Sequence, residues 1–248
     1  MSVPLNSFGF HRVSKMHKAI PPLDQWPSEW TKTFYKEYKR LPTIALPEVS
    51  PEGDLFDVIR RRVSNRVYTG QAVTLTDFSS LFQYACGNTA RMVNIDGSDS
   101  GGRYHRAAPS GGARFPIEAY LLVIRPSDGL EAGVYHYRVR EHKLEILQTR
   151  AFDVEDLKQL LTYEWAWESS AVIFLTAVFA RTQNKYGLRG YRYILLEAGH
   201  IIENMCLVST AIGVSACPLA GTYDEAVEKL LGIDGVSESL VYSVALGK

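Results

Sequence analysis

Two arginines and a serine lie at alternate positions in one short segment, Arg62-Val63-Ser64-Asn65-Arg66. Each guanidinium group is a planar fork of hydrogen-bond donors that matches the oxygens of a phosphate, and a serine hydroxyl can add a further donor. The segment is therefore a candidate phosphate-binding site. It also fits a simpler interpretation, a solvated helix end where the helix dipole favours cations.

Small residues are concentrated between Ala107 and Pro116, in the run Ala-Ala-Pro-Ser-Gly-Gly-Ala-Arg-Phe-Pro. Without bulky side chains, the backbone from Pro109 to Gly112 can approach a flat ligand and offer its N–H groups to the heteroatoms. The alternative is a flexible loop that binds nothing. The sequence has neither a GxGxxG turn after a strand nor the lysine of a P-loop, so neither common nucleotide-binding motif is supported.

A lysine and a tyrosine are adjacent at Lys185 and Tyr186, after an apolar segment and before a long helical pattern. At a strand end inside a pocket, a desolvated amine beside a phenol could transfer protons. The alternative is an ordinary pair of surface residues. Glu197 and His200 have a spacing that metal ligands can share, but a third ligand is missing nearby, so we expect a buried polar pair and no metal site.

The elements that must position these residues follow from hydrophobic periodicity. Helices are predicted at Pro51–Arg62, from a capping Thr76 to Gly87, and at Phe152–Leu161, Tyr191–Ile212 and Tyr223–Leu231. Strands are predicted at Ile117–Ile124, at Gly133–Tyr137 paired with Leu144–Leu147, at Ala171–Ala180 in the centre of a sheet, and at Ser239–Leu246. A long functional or mobile loop is expected over Asn94–Gly112. Because helices and strands do not alternate strictly, the α+β class is favoured over a doubly wound sheet.

The 248 residues carry balanced charge, with 27 Lys and Arg against 27 Asp and Glu. This balance removes the simplest reason to expect nucleic acid or an anionic membrane as a partner. The most apolar stretch, Ala171–Ala180, is too short to span a bilayer. The first residues lack the apolar core of a secretory signal, so we expect a cytoplasmic protein.

The cysteines and the prolines indicate how the chain is organised. Cys86, Cys206 and Cys217 lack CxxC spacing, and we expect all three to be buried as small apolar residues. Residues 1–50 are rich in proline and aromatic residues, so they are predicted to form an ordered arm. The arm would lie over the domain formed by residues 51–248 or over a partner subunit.

Taken in order, these segments resemble the nitroreductase-like flavoprotein superfamily, and within it the SagB/McbC-type branch of thiazoline and oxazoline dehydrogenases. The resemblance covers about residues 55–248. It rests on a set of motifs in register: Arg-x-Ser-x-Arg at 62–66, RAAPSGGARFPIEAYLLV, GVYHY, NKYGLRGYRYILLEAGHIIEN, IGVSACPLAGTYDEAVEKLLGI and VYSVALG.

The resemblance implies a central, mostly antiparallel sheet flanked by helices, and a homodimer with the long helix at its interface and FMN bound there. The cofactor-binding residues that it implies are Arg62, Ser64 and Arg66 at the phosphate and ribityl chain, Pro109, Ser110, Gly111 and Gly112 along the flavin, and Ala220 and Gly221 near its reactive nitrogen. Lys185 and Tyr186 match the catalytic-looking pair of azoline dehydrogenases, which plain nitroreductases do not share. Val63 departs from the second arginine that many relatives have there.

The function implied by the resemblance is oxidation of an azoline ring, or of a related C–N or C–C bond, in a peptide-derived substrate. A hydride would pass to flavin N5 and a proton to the Lys/Tyr pair. Two alternatives stay open: an NAD(P)H-dependent nitroreductase or quinone reductase, and a flavin-binding scaffold subunit of a biosynthetic complex. The expected partners are a second copy of the chain, a small-molecule or modified-peptide substrate and biosynthetic partner proteins, with no nucleic acid or membrane.

Overall fold

The computed structural model describes residues 35–49, 54–93 and 99–248. The strands are β1 (Thr43–Ala45), β2 (Asn88–Val93), β3 (Asp99–Arg106), β4 (Ile117–Val123), β5 (Gly133–Arg138), β6 (Lys143–Thr149), β7 (Ala171–Val178), β8 (Ser215–Leu219) and β9 (Glu238–Gly247). The helices are α1 (Leu55–Arg61), α2 (Leu75–Ala85), α3 (Val154–Lys158), α4 (Glu164–Trp167), α5 (Phe179–Tyr186), α6 (Arg189–Ala211) and α7 (Asp224–Leu231), with a short 3-10 turn at Gly111–Ala113. None of the helices in these ranges has the length and apolarity needed to cross a membrane.

Seven strands form one sheet in the order β1-β6-β5-β4-β7-β9-β8. Every neighbouring pair in this sheet is antiparallel. The predicted central strand, β7, pairs with β4 on one side and β9 on the other. Its residues are buried on both faces because successive side chains enter opposite cores. The prediction of a central, mostly antiparallel sheet in an α+β fold is confirmed.

Helices cover both faces of this sheet. On one face, α2 and α6 supply core residues such as Phe82 and Ile201. On the other, α3, α4 and α7 supply residues such as Leu157 and Val227. The long helix α6 is buried only along its inner side, since Leu195 and Leu196 are 42% and 60% exposed. The subunit interface expected at this helix therefore stays a prediction, whereas the expected burial of all three cysteines is confirmed.

Three local predictions need correction. Helix α2 is capped by Thr74, not Thr76: the Thr74 hydroxyl accepts the N–H of Asp77, whose carboxylate accepts the Thr74 N–H in return. Part of the expected loop Asn94–Gly112 is a strand, because β2 supplies β3 with a hydrogen-bonding partner that glycine-rich composition does not reveal. Helix α1 begins after Asp54, which caps it, and residues 51–53 of the predicted helix lie outside the described residues.

The end of the predicted arm contacts the sheet of its own chain. Strand β1 pairs with β6 and forms one edge of the sheet. Lys36 Nζ donates to Tyr120 Oη at 2.6 Å and also bonds the Glu238 carboxylate. The backbone N–H of Tyr38 donates to Glu145 Oε1 at 2.8 Å. Residues 1–34 of the arm lie outside the described residues, and the domain boundary at residue 50 stays a prediction.

Candidate functional site

The predicted phosphate-binding segment runs along the outer edge of β8. The Asn65 N–H donates to Ala216 O at 3.2 Å, and Asn65 Nδ2 donates to Ser215 Oγ at 2.9 Å. These bonds hold the segment in place after α1 has ended, and they leave Ser64 and Arg66 exposed. The Arg66 guanidinium lies over the Trp165 ring, 5.5 Å from its centroid. The segment thus presents a serine hydroxyl and a stacked cation to solvent.

Gly221, which follows Ala220 in the chain, lies beside the same group of aromatic side chains. Trp165 stacks on Tyr163 with a centroid separation of 5.6 Å. A Cβ on Gly221 would lie 2.3 Å from Tyr163 Cε2, so only glycine fits against this ring without movement. The backbone N–H of Thr162 donates to Gly221 O at 3.0 Å. We call this group the arginine cluster; it comprises Arg62, Ser64, Arg66, Ala220 and Gly221.

The small-residue loop meets the predicted catalytic pair. A Cβ on Gly112 would lie 2.5 Å from Tyr186 Oη and 3.2 Å from Lys185 Nζ, so both functional atoms converge on this glycine. Lys185 Nζ lies 5.3 Å from the centroid of the Tyr186 ring. Gly111 and Gly112 are themselves exposed. We call this group the glycine cluster; it comprises Pro109, Ser110, Gly111, Gly112, Lys185 and Tyr186.

Lys185 and Tyr186 occupy the last turn of helix α5, and not the end of a strand as predicted. The chain leaves β7 directly into this helix, which the apolar run Ala171–Ala180 concealed because its last residues already belong to α5. The Tyr186 ring packs edge-on against Tyr193 of α6, with centroids 5.0 Å apart. Helix packing, and not strand geometry, therefore sets the direction of the tyrosine.

The two clusters lie beside different parts of helix α6. In the glycine cluster, a Cβ on Gly111 would lie 3.7 Å from Tyr193 Cδ2. In the arginine cluster, Arg62 acts on Cys206: burial raises the pKa of this thiol to about 11, and the nearby Arg62 charge opposes the rise. Tyr193 and Cys206 are 13 positions apart, which corresponds to about 20 Å along a helix. The predicted site residues thus form two groups within one chain.

Glu197 is a buried carboxylate, as predicted, but its partner differs from the predicted one. It is 5% exposed and hydrogen-bonds the Ser110 hydroxyl of the glycine cluster. Burial raises its pKa to about 7, against the opposing effects of the Ser110 hydrogen bond and the charges of Arg106 and Arg181. The predicted partner, His200, is exposed. The expected buried Glu197–His200 pair is therefore wrong, because the helix turns His200 towards solvent while Glu197 faces the loop.

A second buried ionic group was not predicted at all. The His136 imidazole lies between two carboxylates, with Nε2 3.1 Å from Glu118 Oε2 and Nδ1 2.8 Å from Glu145 Oε2. Burial opposes a charged imidazole, but both glutamates outweigh it and raise the pKa of His136. For Glu118, burial is likewise outweighed, by Arg181 and His136, and the pKa falls to about 2. The one available signal was a glutamate inside the apolar run Ile117–Val123.

A cleft of about 690 Å³ lies on the other face of the sheet. Its walls come from the chain around Tyr38 and Leu41, from β6, and from helices α3 and α7. The residues of the two clusters do not line it. This cleft therefore adds nothing to the proposed chemistry, which depends on open surfaces next to α6.

Comparison with known proteins relates the chain to nitroreductases and to two peptide-processing proteins. The sequence profile of the Nitroreductase family matches residues 59–248. The nitroreductase-type protein MJ1384 of Methanocaldococcus jannaschii is 30% identical over 190 residues, covering 77% of this chain and 89% of that protein. Trifolitoxin-processing protein TfxB of Rhizobium leguminosarum bv. trifolii is 31% identical over 67% of this chain, and microcin B17-processing protein McbC of Escherichia coli is 32% identical over 58%. The matches cover only 45% of TfxB and 54% of McbC.

Two solved structures have the same fold. A nitroreductase-type protein from Anabaena variabilis superposes with a TM-score of 0.71 at 27% identity, over 96% of this chain and 45% of that one. A chain of the Escherichia coli microcin synthetase McbBCD complex, solved with truncated pro-MccB17 bound, superposes with a TM-score of 0.60 over 83% of this chain and 74% of that one. At 22% identity, the second likeness supports the fold alone.

Proposed function

The chain belongs to the nitroreductase family of oxidoreductases, and we propose that it is an FMN-dependent dehydrogenase of the SagB/McbC-type branch. Its substrate in this proposal is an azoline ring, or a related C–N or C–C bond, in a modified peptide. The similarity to two peptide-processing proteins supports the branch. The observation that carries the chemistry is the convergence of Lys185 Nζ and Tyr186 Oη on Gly112.

The residues of the two clusters fit a flavin mononucleotide. Arg62, Ser64 and Arg66 offer two cations and a hydroxyl to a phosphate. The missing Cβ of Gly112 lets the loop backbone approach Tyr186 Oη and Lys185 Nζ closely, so a flat ring lying along this exposed loop would be next to both groups. Asn184, next to the catalytic pair, carries a buried amide nitrogen that has no hydrogen-bond partner among the described residues, and a heteroatom of the ring would provide one.

Two copies of the chain would be needed to assemble one site. The clusters lie beside parts of α6 that are about 20 Å apart, so within one chain the proposed phosphate-binding residues are far from the proposed proton-transfer pair. Helices α1 and α6 pack together, and each carries exposed apolar residues: Phe56 and Ile59 on α1, and Leu195 and Leu196 on α6, a set we call the apolar strip. In a twofold dimer joined through this strip, the arginine cluster of one subunit would meet the glycine cluster of its mate.

Aromatisation of an azoline removes a proton from one ring carbon and a hydride from its neighbour. Bound FMN would supply the acceptor for the hydride and its electron pair, and oxygen would be the final two-electron acceptor that restores oxidised FMN. Tyr186 and Lys185 would handle the proton, with Tyr186 Oη as the nearer of the two atoms to Gly112. The backbone of Gly111 and Gly112 would orient the ring through its N–H groups, and the arginine cluster would bind the phosphate without taking part in proton transfer.

The proposal predicts separate effects on turnover and on flavin binding. The purified protein is expected to show the visible spectrum of oxidised flavin, and a thiazoline-containing peptide is expected to lose two hydrogen atoms by mass. Lys185→Ala and Tyr186→Phe should each lower this turnover by about 100-fold or more while FMN stays bound. Lys158→Ala and Tyr84→Phe, on exposed surfaces, are the matched controls. Full turnover in both test variants would refute the acid–base assignment.

An NAD(P)H-dependent nitroreductase or quinone reductase is the second candidate. It is favoured by the nitroreductase-type relative MJ1384, 89% of which is covered by the match. Such an enzyme needs little acid–base chemistry from side chains. Rapid anaerobic bleaching of the flavin by NADPH, with no change in Lys185→Ala, would support it over the dehydrogenase.

A role as the flavin-binding subunit of a larger biosynthetic assembly is the third candidate. The microcin synthetase McbBCD is a complex, and one of its chains has this fold. Turnover of the thiazoline peptide by the purified chain alone would argue against a need for partner proteins. Turnover that appears only after partner proteins are added would argue for one.

A further inference from the structure

The loop that carries Gly112 has an unusual backbone. Gly112, Ala113 and Phe115 have φ angles of 64°, 51° and 46°, and two of these three are not glycine. The left-handed region is unfavourable for residues with a Cβ, so such a backbone persists only when surrounding contacts impose it. The contacts that hold this loop therefore decide where Gly112 sits relative to Tyr186.

Ser110 is the centre of those contacts. Its Oγ accepts the backbone N–H of Phe115 at 2.8 Å, and its carbonyl oxygen accepts the N–H of Ala113 at 3.0 Å. Further support for Phe115 comes from Arg181, whose Nη1 donates to Phe115 O at 2.9 Å, and from Arg106, whose guanidinium lies 4.5 Å from the ring centroid. The loop is thus closed on itself through one serine.

Glu197 fixes the orientation of that serine. A serine hydroxyl has one hydrogen to donate, and since its oxygen already accepts from Phe115, the hydrogen is directed to the buried Glu197 carboxylate. Glu197 projects from α6, a 23-residue helix packed on the core. The hydrogen-bond chain Glu197–Ser110–Phe115 therefore anchors a strained loop to a rigid element.

We propose that Glu197 is a positioning residue, which holds the Ser110–Phe115 loop so that Gly112 faces Tyr186 and Lys185. This inference rests on the proposed function only in assigning the loop to the flavin. Glu197 acts through Ser110 and needs no contact with cofactor or substrate. The charged groups that act on it from neighbouring elements are Arg106 of β3 and Arg181 of α5.

The titration of Glu197 indicates which variants can be used. Because burial raises its folded-state pKa from 4.5 to about 7, ionisation of Glu197 lowers stability as the pH rises through this interval. A variant with an apolar side chain of similar length at position 197 is therefore expected to fold at neutral pH. Glu197→Met removes the acceptor while filling the space, and Glu197→Gln keeps an oxygen that can accept from Ser110.

The test is amide hydrogen exchange of Phe115 in the purified full-length chain, measured without flavin. Glu197→Met is expected to speed this exchange by about tenfold, since the loop loses its anchor. Glu197→Gln is expected to stay close to the wild-type rate. Glu155→Ala removes an exposed glutamate from α3 and is the control for loss of a carboxylate.

The chain of bonds also predicts an interaction between two sites. In a Ser110→Ala background, Glu197→Met should change the exchange rate no further. A wild-type rate in Glu197→Met, failure of Glu197→Gln to restore the rate, or an added effect in the Ser110→Ala background would each overturn the inference.

A second readout separates this inference from the proposed function. FMN affinity, measured by fluorescence titration, is expected to fall by about tenfold in Glu197→Met and to be retained in Glu197→Gln. If the wild-type chain binds no FMN, the proposed function fails, while the exchange experiment still decides the role of Glu197. If FMN binds equally to all variants although exchange responds, the loop is anchored by Glu197 but does not contact the flavin, and the positioning role is refuted.

Discussion

At the scale of single residues, the glycine cluster depends on one missing side chain. The approach of Gly111 and Gly112 to a ligand stays a prediction, and the structure shows that Gly112 lies against the Tyr186 and Lys185 side chains. Its φ of 64° lies in the left-handed region, and both Tyr186 Oη and Lys185 Nζ lie close to the place of its absent Cβ. The positive φ angle and the close contacts therefore each disfavour any residue with a Cβ at this position.

Gly112→Ala is expected to abolish thiazoline turnover and to weaken FMN binding, because the new methyl group would overlap Tyr186 Oη. Gly232→Ala is the matched control. Gly232 has a similar φ of 71°, but a Cβ there meets nothing within 4 Å. The control should lose about 1 kcal/mol of unfolding free energy from backbone strain and keep full activity. Equal activity in the two variants would show that crowding at Gly112 is unimportant.

At the scale of elements, the strands β4, β5 and β6 are joined by charge as well as by backbone hydrogen bonds. Glu118, His136 and Glu145 come from these three strands and lie in line on one face of the sheet. Arg181 of α5 donates to Glu118 and also to the carbonyl oxygen of Phe115, which connects this ionic group to the loop that carries Gly112. Buried charges of this kind are tolerated only when all partners are present.

His136→Leu is expected to lower the unfolding free energy by about 3–5 kcal/mol, since the buried carboxylates of Glu118 and Glu145 would lose the imidazolium that lies between them and bonds both. The difference from wild type should be largest below pH 6.5, where a histidine is charged in both folded and unfolded chains. It should shrink as the pH rises through the raised folded-state pKa, because the stabilising charge is then lost.

Urea unfolding of both proteins across this pH range is the measurement. His200→Gln, at an exposed histidine of α6, is the control and should match wild type at each pH. A pH-independent deficit in His136→Leu would indicate that the histidine stabilises the strands by packing and not by charge.

At the scale of the whole molecule, the separation of the two clusters implies that a complete site would need residues from two subunits. If each site combines the arginine cluster of one subunit with the glycine cluster of the other, two inactive variants can complement each other. In a mixed dimer of Arg66→Ala and Lys185→Ala chains, one site would carry both substitutions and the other would carry neither. We expect such a dimer, purified with two different affinity tags, to recover about half of the wild-type activity per dimer.

Each homodimeric variant is the control and should stay inactive on its own. Failure of the mixed dimer to recover any activity would mean that each site is built within one chain. Light scattering of Leu196→Asp provides an independent check, since a charge in the apolar strip should yield monomers that bind FMN weakly. Val236→Asp, at an apolar residue outside the strip that is 79% exposed against 60% for Leu196, should leave the oligomeric state unchanged.

The sequence by itself determined the strands and helices whose side chains alternate with a clear period. The buried strand β7, the hairpin of β5 and β6, and helices α6 and α7 are found where periodicity predicted them. It also provided the candidate site residues, because cations, adjacent glycines and a Lys-Tyr pair are local features of the chain. These features can be predicted from the sequence because they depend on interactions between residues that are close together in the chain.

Only the tertiary structure decided which of these residues meet. The placement of Lys185 and Tyr186 on a helix, the separation of the arginine cluster from the glycine cluster, and the pairing of Glu197 with Ser110 instead of His200 all depend on contacts between elements distant in sequence. The same holds for the buried ionic group of His136, Glu118 and Glu145. A buried charge is stabilised by the groups that lie next to it in the folded protein. The packing of the sheet against the helices decides which groups these are, and the spacing of residues along the chain does not contain that information.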